Sequence, residues 1–353
     1  MFLLRWLVVS LLALLAIWVT YAAIFSPITP AVWVAPENPG LTGVFAPNAR
    51  LQAVEQVVMP GLGPEDVACD VEDTRYTGLE NGDIVRWQGE AAPAVVANTG
   101  GRPLGMKVDS QGRLVVADAM RGLLRISPEG AIEVLADAHA GEPMRFVDDL
   151  DIAADGTIWF SDASRRFGMH DNLLDFYEGS MTGRLLSWDP TSGETTEHLG
   201  GLFFGNGVAL GPDDDFVLIN ETGLGRVQRL WLKGPKAGQQ DIFVEGLPGT
   251  PDNINFDGEG TFWIAMPSLR ASADQLAERP FLRKMLAVLP GVLMTAVVTP
   301  SSFVVGVDLA GNVVQNLYDP ELGYHYITSA TPCNGTLWLG SLAMSAVGRL
   351  AID

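Results

Sequence analysis

The sequence predicts an all-β fold, a six-bladed β-propeller, on three observations. Short apolar strands separated by Gly, Asp and Asn turns recur along residues 51–353. Comparable positions are 39, 44 and 46 residues apart at the shorter spacings, within the roughly 40–50 residues of a propeller blade. The last unit is one strand short, and residues 54–58 could supply that strand and close the ring. A pair of β-sandwiches is the alternative, but it does not explain the sustained period.

An apolar segment precedes the propeller. Residues 2–25 are apolar apart from Arg5 and a few small polar side chains, and they are close in number to the roughly 20 residues that cross a bilayer as a helix. Arg5 is expected to stay cytoplasmic, so the sequence predicts a single-pass membrane protein with its propeller on the non-cytoplasmic side, periplasmic or extracellular. Residues 1–25 would be the signal anchor. A cleaved signal peptide is the alternative, since Thr20-Tyr21-Ala22 fits a cleavage site.

The next two irregular segments are a linker and an insertion. Residues 26–50 are predicted to be an extended, proline-rich linker. Residues 268–300 interrupt the strands of the fifth blade, and Phe281, Met285 and Leu289 recur there at helical spacing. Two interpretations of this helical insertion remain open. It packs on the flank of the propeller, or it forms a lid or a helix that lies on the membrane.

Composition limits the partners and the redox chemistry. The chain has 42 Asp and Glu against 22 Lys and Arg, a net charge of −20. It shows no dense basic cluster, so nucleic-acid binding is not expected. Cys69 and Cys333 are too few for a disulfide scaffold. They are expected to be buried thiols, with a single bridge as the alternative.

The recurring positions carry the candidate chemistry. In a propeller the innermost strand of each blade lines the central channel, so equivalent positions meet around the axis. Several of these positions hold oxygen donors, and Asn253 follows the last of them. Carboxylates and amides with few cationic partners suit Ca²⁺, which takes roughly 6–8 oxygen ligands. The comparable positions are Glu65, Leu104, Asp148, Asn206, Asp252 and His325.

Several segments of the propeller carry a family resemblance, among them GRPLGMKVDSQGRLVVADAMRGLLRI, FVDDLDIAADGTIWFSDASRRF and NGVALGPDDDFVLINETGLGRVQRLWLKG. They resemble the strictosidine-synthase-like propellers, which include the adipocyte plasma membrane-associated proteins. The resemblance covers essentially the whole chain after the linker, including LAERPFLRKM in the insertion. This family belongs with the senescence-marker/gluconolactonase proteins and the paraoxonases. The resemblance therefore implies a six-bladed, calcium-dependent hydrolase of esters or lactones.

The same resemblance assigns metal ligands. Asp66 and Asp149 match carboxylates that hold a second, structural calcium deeper in the channel, and whether there are one or two ions stays open. The residues that match the ligands of the catalytic calcium in the paraoxonase pattern are Glu65, Asp148, Asn206, Asp252 and Asn253.

Three departures from the family pattern limit the prediction. Asp148 stands where relatives usually carry Asn, and Leu104 stands where paraoxonases carry a histidine implicated in catalysis. Tyr326-Ile327-Thr328 offers no counterpart to the glutamate base of strictosidine synthases. Condensation of the strictosidine-synthase type is therefore not expected.

Two functions remain. The first is a calcium-dependent arylesterase or lactonase acting on a small-molecule substrate, in which the metal polarises the carbonyl group and Asp252 or Asp148 activates water. His325 is a further candidate base. The second is a non-catalytic, membrane-tethered propeller whose calcium is structural.

Overall fold

A computed structural model describes residues 2–352 and confirms the propeller, a ring of six four-stranded antiparallel sheets. In blades 1 to 5 the strands follow the order of the chain from the channel outward, whereas the outermost strand of blade 6 comes from the start of the propeller. The innermost strands of adjacent blades contact one another. From the channel outward, the strands are Val67–Cys69, Thr74–Gly78, Asp83–Gln88 and Ala94–Asn98 in blade 1; Pro103–Val108, Leu114–Asp118, Gly122–Ile126 and Ile132–Ala136 in blade 2; Val147–Ile152, Ile158–Asp162, Gly183–Trp188 and Thr195–Leu202 in blade 3; Gly205–Leu210, Phe216–Glu221, Arg226–Trp231 and Gln240–Val244 in blade 4; Ile254–Phe256, Thr261–Ala265, Phe303–Asp308 and Val313–Tyr318 in blade 5; and Ile327–Cys333, Thr336–Ser341, Ala346–Ala351 and Glu55–Val58 in blade 6.

Two features close the ring. Glu55–Val58 pairs antiparallel with Ala346–Ala351, which confirms the predicted closing strand. Cys69 and Cys333 form a disulfide with their Cα atoms 6.5 Å apart, so the expectation of two buried thiols is wrong. These cysteines end the inner strands of blades 1 and 6, which are neighbours only because the ring closes. Their separation of 264 residues in the sequence conceals this proximity.

The hydrophobic core lies between neighbouring blades. Between blades 4 and 5, for example, Leu218 and Val227 pack with Phe262, Ile264 and Val305, all fully buried. Alternate residues of each strand face opposite sides of its sheet, so every blade has two apolar faces to cover. One blade cannot bury both faces alone, and the closed ring buries all of them.

The N-terminal helix α1, Phe2–Phe25, extends outside the propeller. Its stretch Leu4–Phe25 has a mean hydropathy of 2.5, and most of its side chains are exposed. The helix is therefore a candidate membrane span, as predicted. Its role as an uncleaved anchor, rather than a cleaved signal sequence of similar composition, stays a prediction.

The segment after α1 is extended, but it is packed against the rest of the molecule. Ile28, Trp33 and Phe45 are buried. The buried Arg270 side chain donates to the carbonyl oxygens of Pro36 and Glu37, at 3.1 Å and 2.6 Å. These contacts hold residues 26–50 on the propeller surface, so the segment is part of the folded body.

Helices occur in two insertions. Helix α2, Asn172–Glu178, lies between the second and third strands of blade 3. The blade 5 insertion contains the helices α3, Ala271–Asp274, α4, Pro280–Leu286, and α5, Gly291–Met294, and α4 packs against both α2 and α1. Among the described residues, the N-cap residue of α3 is Arg270, whose side chain makes no capping hydrogen bond. The remaining elements are the two-residue strands Ala138–His139 with Glu142–Pro143 and Ser268–Leu269 with Thr299–Pro300, and the 3-10 turns Gly43–Phe45, Arg50–Ala53, Met169–Asp171, Pro212–Asp214, Thr222–Leu224, Gly234–Lys236 and Thr295–Val297.

Candidate active site and metal centre

A recurrent β-bulge positions the candidate site residues. In blades 2, 3, 4 and 6 the pairing of the first two strands skips two residues near the start of the inner strand. Bulges break the ladder locally and redirect side chains, and they are common next to active sites. The skipped pairs are Leu104-Gly105, Asp148-Asp149, Asn206-Gly207 and Thr328-Ser329.

The strand register shows which residues are equivalent. Counting back from the pairs Val67–Thr77 and Ile254–Ile264 gives Glu65-Asp66 and Asp252-Asn253 as the counterparts of Asp148-Asp149. Five of the six positions compared in the sequence are therefore equivalent in the structure.

The sixth position, His325, was wrongly predicted to be equivalent to the other five. The register of blade 6 makes Thr328 the counterpart of Asp148, three residues beyond His325. A tight turn precedes the strand, with Tyr326 at a positive φ of 51°, and the sequence does not reveal it. Among the residues of the described chain, Tyr326 lines the central cavity and His325 does not. His325 Nδ1 instead lies 3.0 Å from the carbonyl oxygen of Leu322, which gives no support for a catalytic role.

One end of the channel opens into a cavity of about 460 Å³. Its polar residues include Glu65, Asp148, Asn206 and Asp252, which the structure brings together as predicted. We call these four residues the acid ring. Most of the remaining lining is apolar, including Leu104, Phe146, Phe204 and Leu342. The cavity thus combines a few convergent polar groups with apolar walls, as small-molecule sites do.

Hydrogen bonds hold the acid ring together but leave several oxygens free. Asn206 Nδ2 donates to Asp252 Oδ1 at 2.7 Å, and Asn253 Nδ2 donates to Glu65 Oε1 at 3.1 Å. Within residues 2–352, three buried side-chain oxygens here have no hydrogen-bond partner, namely Asp148 Oδ2, Asn206 Oδ1 and Asn253 Oδ1. Buried polar atoms normally have hydrogen-bond partners, so unpaired oxygens beside clustered carboxylates suggest that these oxygens can coordinate a cation.

The electrostatics also favour a cation. Burial, followed by the nearby charge of Asp252, raises the pKa of Glu65 and of Asp148 well above their usual range. Burial raises the pKa of Asp252 to about 7, despite the hydrogen bond from Asn206. The positive charge of Arg102 opposes the rise in the pKa of Glu65 but does not cancel it. A bound cation would relieve this repulsion.

These residues fit calcium as a ligand set. Within the described part of the chain, no three Asp, Glu, His or Cys side chains group closely enough to hold a metal by themselves. The carboxylates of Glu65, Asp148 and Asp252 would therefore need the amide oxygens of Asn206 and Asn253. A hard cation accepts such mixed oxygen sets.

Asp66 and Asp149 lie one residue further along the inner strands. Met106 N donates to Asp66 Oδ2 at 3.0 Å, and Val208 N donates to Asp149 Oδ2 at 2.9 Å. Each carboxylate thereby joins its own blade to the next. Burial, then the charge of Asp66, raises the pKa of Asp149. Both acids thus link neighbouring blades through hydrogen bonds. Their role as ligands of a second calcium stays a prediction.

The raised pKa values predict a pH dependence of stability. In the folded protein the pKa of Asp252 is raised to about 7 from an ordinary 3.8. When a chelator has removed calcium, protonation of Asp252 therefore stabilises the fold fully below pH 4, and this stabilisation is lost as the pH rises through 7. The melting temperature of the calcium-free protein should fall over that range, and Asp252→Asn should flatten the fall. Calorimetry at pH 4 to 8 measures both. An unchanged slope in Asp252→Asn would contradict the assignment.

Segments distant in the chain form the roof of the cavity. A lid was one of the interpretations of the insertion, but the sequence did not predict that Trp33 and Phe176 contribute to the roof. The helical spacing at 281–289 was a signal for the insertion, whereas a tryptophan in a proline-rich segment carried none. The insertion covers the cavity, which favours the lid interpretation. The roof residues are Trp33 after α1, Phe176 on α2, and Leu276, Arg283 and Met294 from the insertion.

Similar proteins bear on the family. A strictosidine synthase family profile matches residues 148–235, and a profile of the strictosidine synthase-like N-terminal region matches residues 43–87. The adipocyte plasma membrane-associated protein of Rattus norvegicus is 34% identical over 353 residues, covering 93% of this chain and 94% of the relative.

Solved structures of other propellers share the fold at low identity. A gluconolactonase from Xanthomonas campestris superimposes with a TM-score of 0.63 at 18% identity, covering 93% of this chain and 99% of that chain. A calcium-binding regucalcin from Agrobacterium tumefaciens gives 0.61 at 15% identity, covering 85% and 94%. At these identities the likeness establishes the propeller fold alone.

Proposed function

Because the chain belongs to the strictosidine-synthase-like family that includes the adipocyte plasma membrane-associated proteins, we propose that it is a calcium-dependent hydrolase of esters or lactones. One observation carries the proposal. Buried carboxylates with raised pKa values and free oxygens lie together at the base of an apolar cavity. The fold shared with a gluconolactonase and with a calcium-binding regucalcin supports it.

Each part of the site has a role in this reaction. The apolar walls bind the substrate and exclude water around it. Calcium, when bound, supplies a Lewis acid for the substrate carbonyl. The Asp252 carboxylate, which lines the cavity, takes a proton from the attacking water. Asn206 Nδ2 orients that carboxylate through Asp252 Oδ1. Asp148 is the second candidate for this role.

A specific observation favours the alternative, a non-catalytic propeller with structural calcium. Leu104 and Thr328 occupy the equivalent positions in blades 2 and 6, so neither blade supplies an acid or a histidine there. Thr328 Oγ1 donates to the carbonyl oxygen of Glu65 at 2.6 Å, a structural contact. Strictosidine-type condensation is not proposed, since this position lacks the glutamate base.

We also propose that α1 anchors the chain in a membrane with the propeller on the non-cytoplasmic side. Arg5 near the start of α1 supports this orientation. The disulfide between Cys69 and Cys333 supports it independently, because disulfides persist in oxidising compartments.

The test is substrate hydrolysis by the full-length protein in detergent, with a panel of aryl esters and lactones. Calcium removal by a chelator should abolish hydrolysis, and added calcium should restore it. Full activity in chelator would contradict the mechanism. Calcium-dependent melting with no turnover across the panel would instead support the non-catalytic alternative.

A further inference from the structure

Trp33 lies outside the propeller in sequence but inside the candidate site in space. It belongs to the segment after α1, it is 7% exposed, and it lines the cavity that contains the acid ring. Its ring meets Phe203 edge to face at 5.0 Å between centroids. The guanidinium carbon of Arg283 lies 4.2 Å from the centroid of the indole. The indole is thus enclosed by an aromatic ring and a cation.

Arg283 secures the chain around Trp33. Its Nη1 donates to the carbonyl oxygens of Tyr177 and Glu178, at 3.0 Å and 3.1 Å, and its Nη2 donates to those of Ala31 and Ala277. One buried side chain therefore joins the segment after α1, helix α2 and the insertion.

Helix α2 ends next to the indole of Trp33, at a glycine that allows close contact with the ring. Gly179, with φ of +65°, follows α2, and a Cβ atom there would lie 2.8 Å from Trp33 Cε3. The backbone of Ala31 also donates to the carbonyl oxygen of Glu178 at 3.1 Å. Arg283, Phe203 and the close approach at Gly179 together define one position for the ring, and the side chain is pre-organised before any substrate binds.

We propose that Trp33 is a substrate-contacting, specificity-determining residue, whose ring packs against the apolar part of an ester or lactone bound at the acid ring. The inference rests on the proposed function for the identity of that substrate. The acid ring supplies the polar groups, so the apolar part of the substrate must be accommodated by the remaining lining, to which Trp33 contributes. The segment next to the membrane helix is then part of the substrate site.

Fluorescence quenching tests the contact without requiring turnover. The probe is phenyl 11-bromoundecanoate, whose bromine quenches nearby indoles, added to the full-length protein in detergent. Quenching of the wild type should exceed that of Trp33→Phe. The matched control is Trp87→Phe, a buried tryptophan in blade 1, which should be quenched like the wild type. Equal quenching of the wild type and Trp33→Phe would overturn the proposal.

Kinetics test the specificity. Trp33→Ala should raise KM for phenyl hexanoate about tenfold, with kcat nearly unchanged, since the lost contacts are apolar. The effect on phenyl acetate should be smaller. Equal effects on both esters would overturn the role in specificity. If Trp33→Ala does not fold, Trp33→Phe carries the test. If quenching depends on Trp33 but no ester is hydrolysed, the contact with Trp33 is supported and the proposed hydrolase function is refuted. If esters are hydrolysed but quenching does not depend on Trp33, the hydrolase function is supported and the contact is refuted.

Discussion

Glu65→Gln is expected to lower ester or lactone hydrolysis by roughly 10²–10³-fold, the loss typical when one preorganised electrostatic group is removed. Glu65 is 2% exposed and lies with Asp148 and Asp252 at the cavity. Its carboxylate receives only the Asn253 amide among the described side chains. Replacement by an amide keeps the shape but removes one charge from the calcium ligands. The measurement is kcat/KM over a range of calcium concentrations.

The same variant has an opposite effect on the calcium-free protein. Burial and neighbouring acids raise the pKa of Glu65, so an ionised Glu65 destabilises the fold when no cation is bound. Glu65→Gln should therefore melt above the wild type in chelator, yet gain less from added calcium. A purely structural role for Glu65, without a cation, predicts a lower melting temperature in both conditions.

A matched control separates these effects from general loss of charge. Glu133 lies on the outer strand of blade 2 with an exposed side chain, 59% by area, paired with Arg125. Glu133→Gln should leave hydrolysis and the calcium response unchanged, because surface ion pairs contribute little. If Glu65→Gln behaves like Glu133→Gln, the calcium proposal fails.

Loss of the disulfide should produce the largest effect on stability. The double variant Cys69→Ser, Cys333→Ser is expected to lower the free energy of unfolding by roughly 3–5 kcal/mol. The bond joins inner strands separated by 264 residues, and a long closed loop restricts the unfolded chain strongly. Urea denaturation with and without reductant measures the difference.

The control is internal to this experiment. Reductant should destabilise the wild type to the level of the double variant and leave that variant unchanged. A wild type that unfolds at the same urea concentration with and without reductant would contradict the role of the bond. Protein recovered from the cytoplasmic side of a membrane should hold Cys69 and Cys333 as thiols, whereas the proposed orientation predicts the bridge.

The period of the strands was sufficient to predict the six blades and all four residues of the acid ring. Glu65, Asp148, Asn206 and Asp252 occupy repeat positions that can be counted, because each blade must present its inner strand to the same axis. The count failed in blade 6, where the turn at Tyr326 shifts the register and puts Thr328 in place of His325. A turn with one non-glycine residue at positive φ leaves little trace in a sequence.

The all-β class, the blade number, the candidate membrane helix and the residues of the acid ring could be predicted from local periodicity and composition. The disulfide, the equivalent of Asp148 in blade 6, and the roof made by Trp33, α2 and the insertion became visible in the folded structure. These features depend on contacts between segments far apart in the chain, which ring closure and packing bring together and which no local pattern encodes.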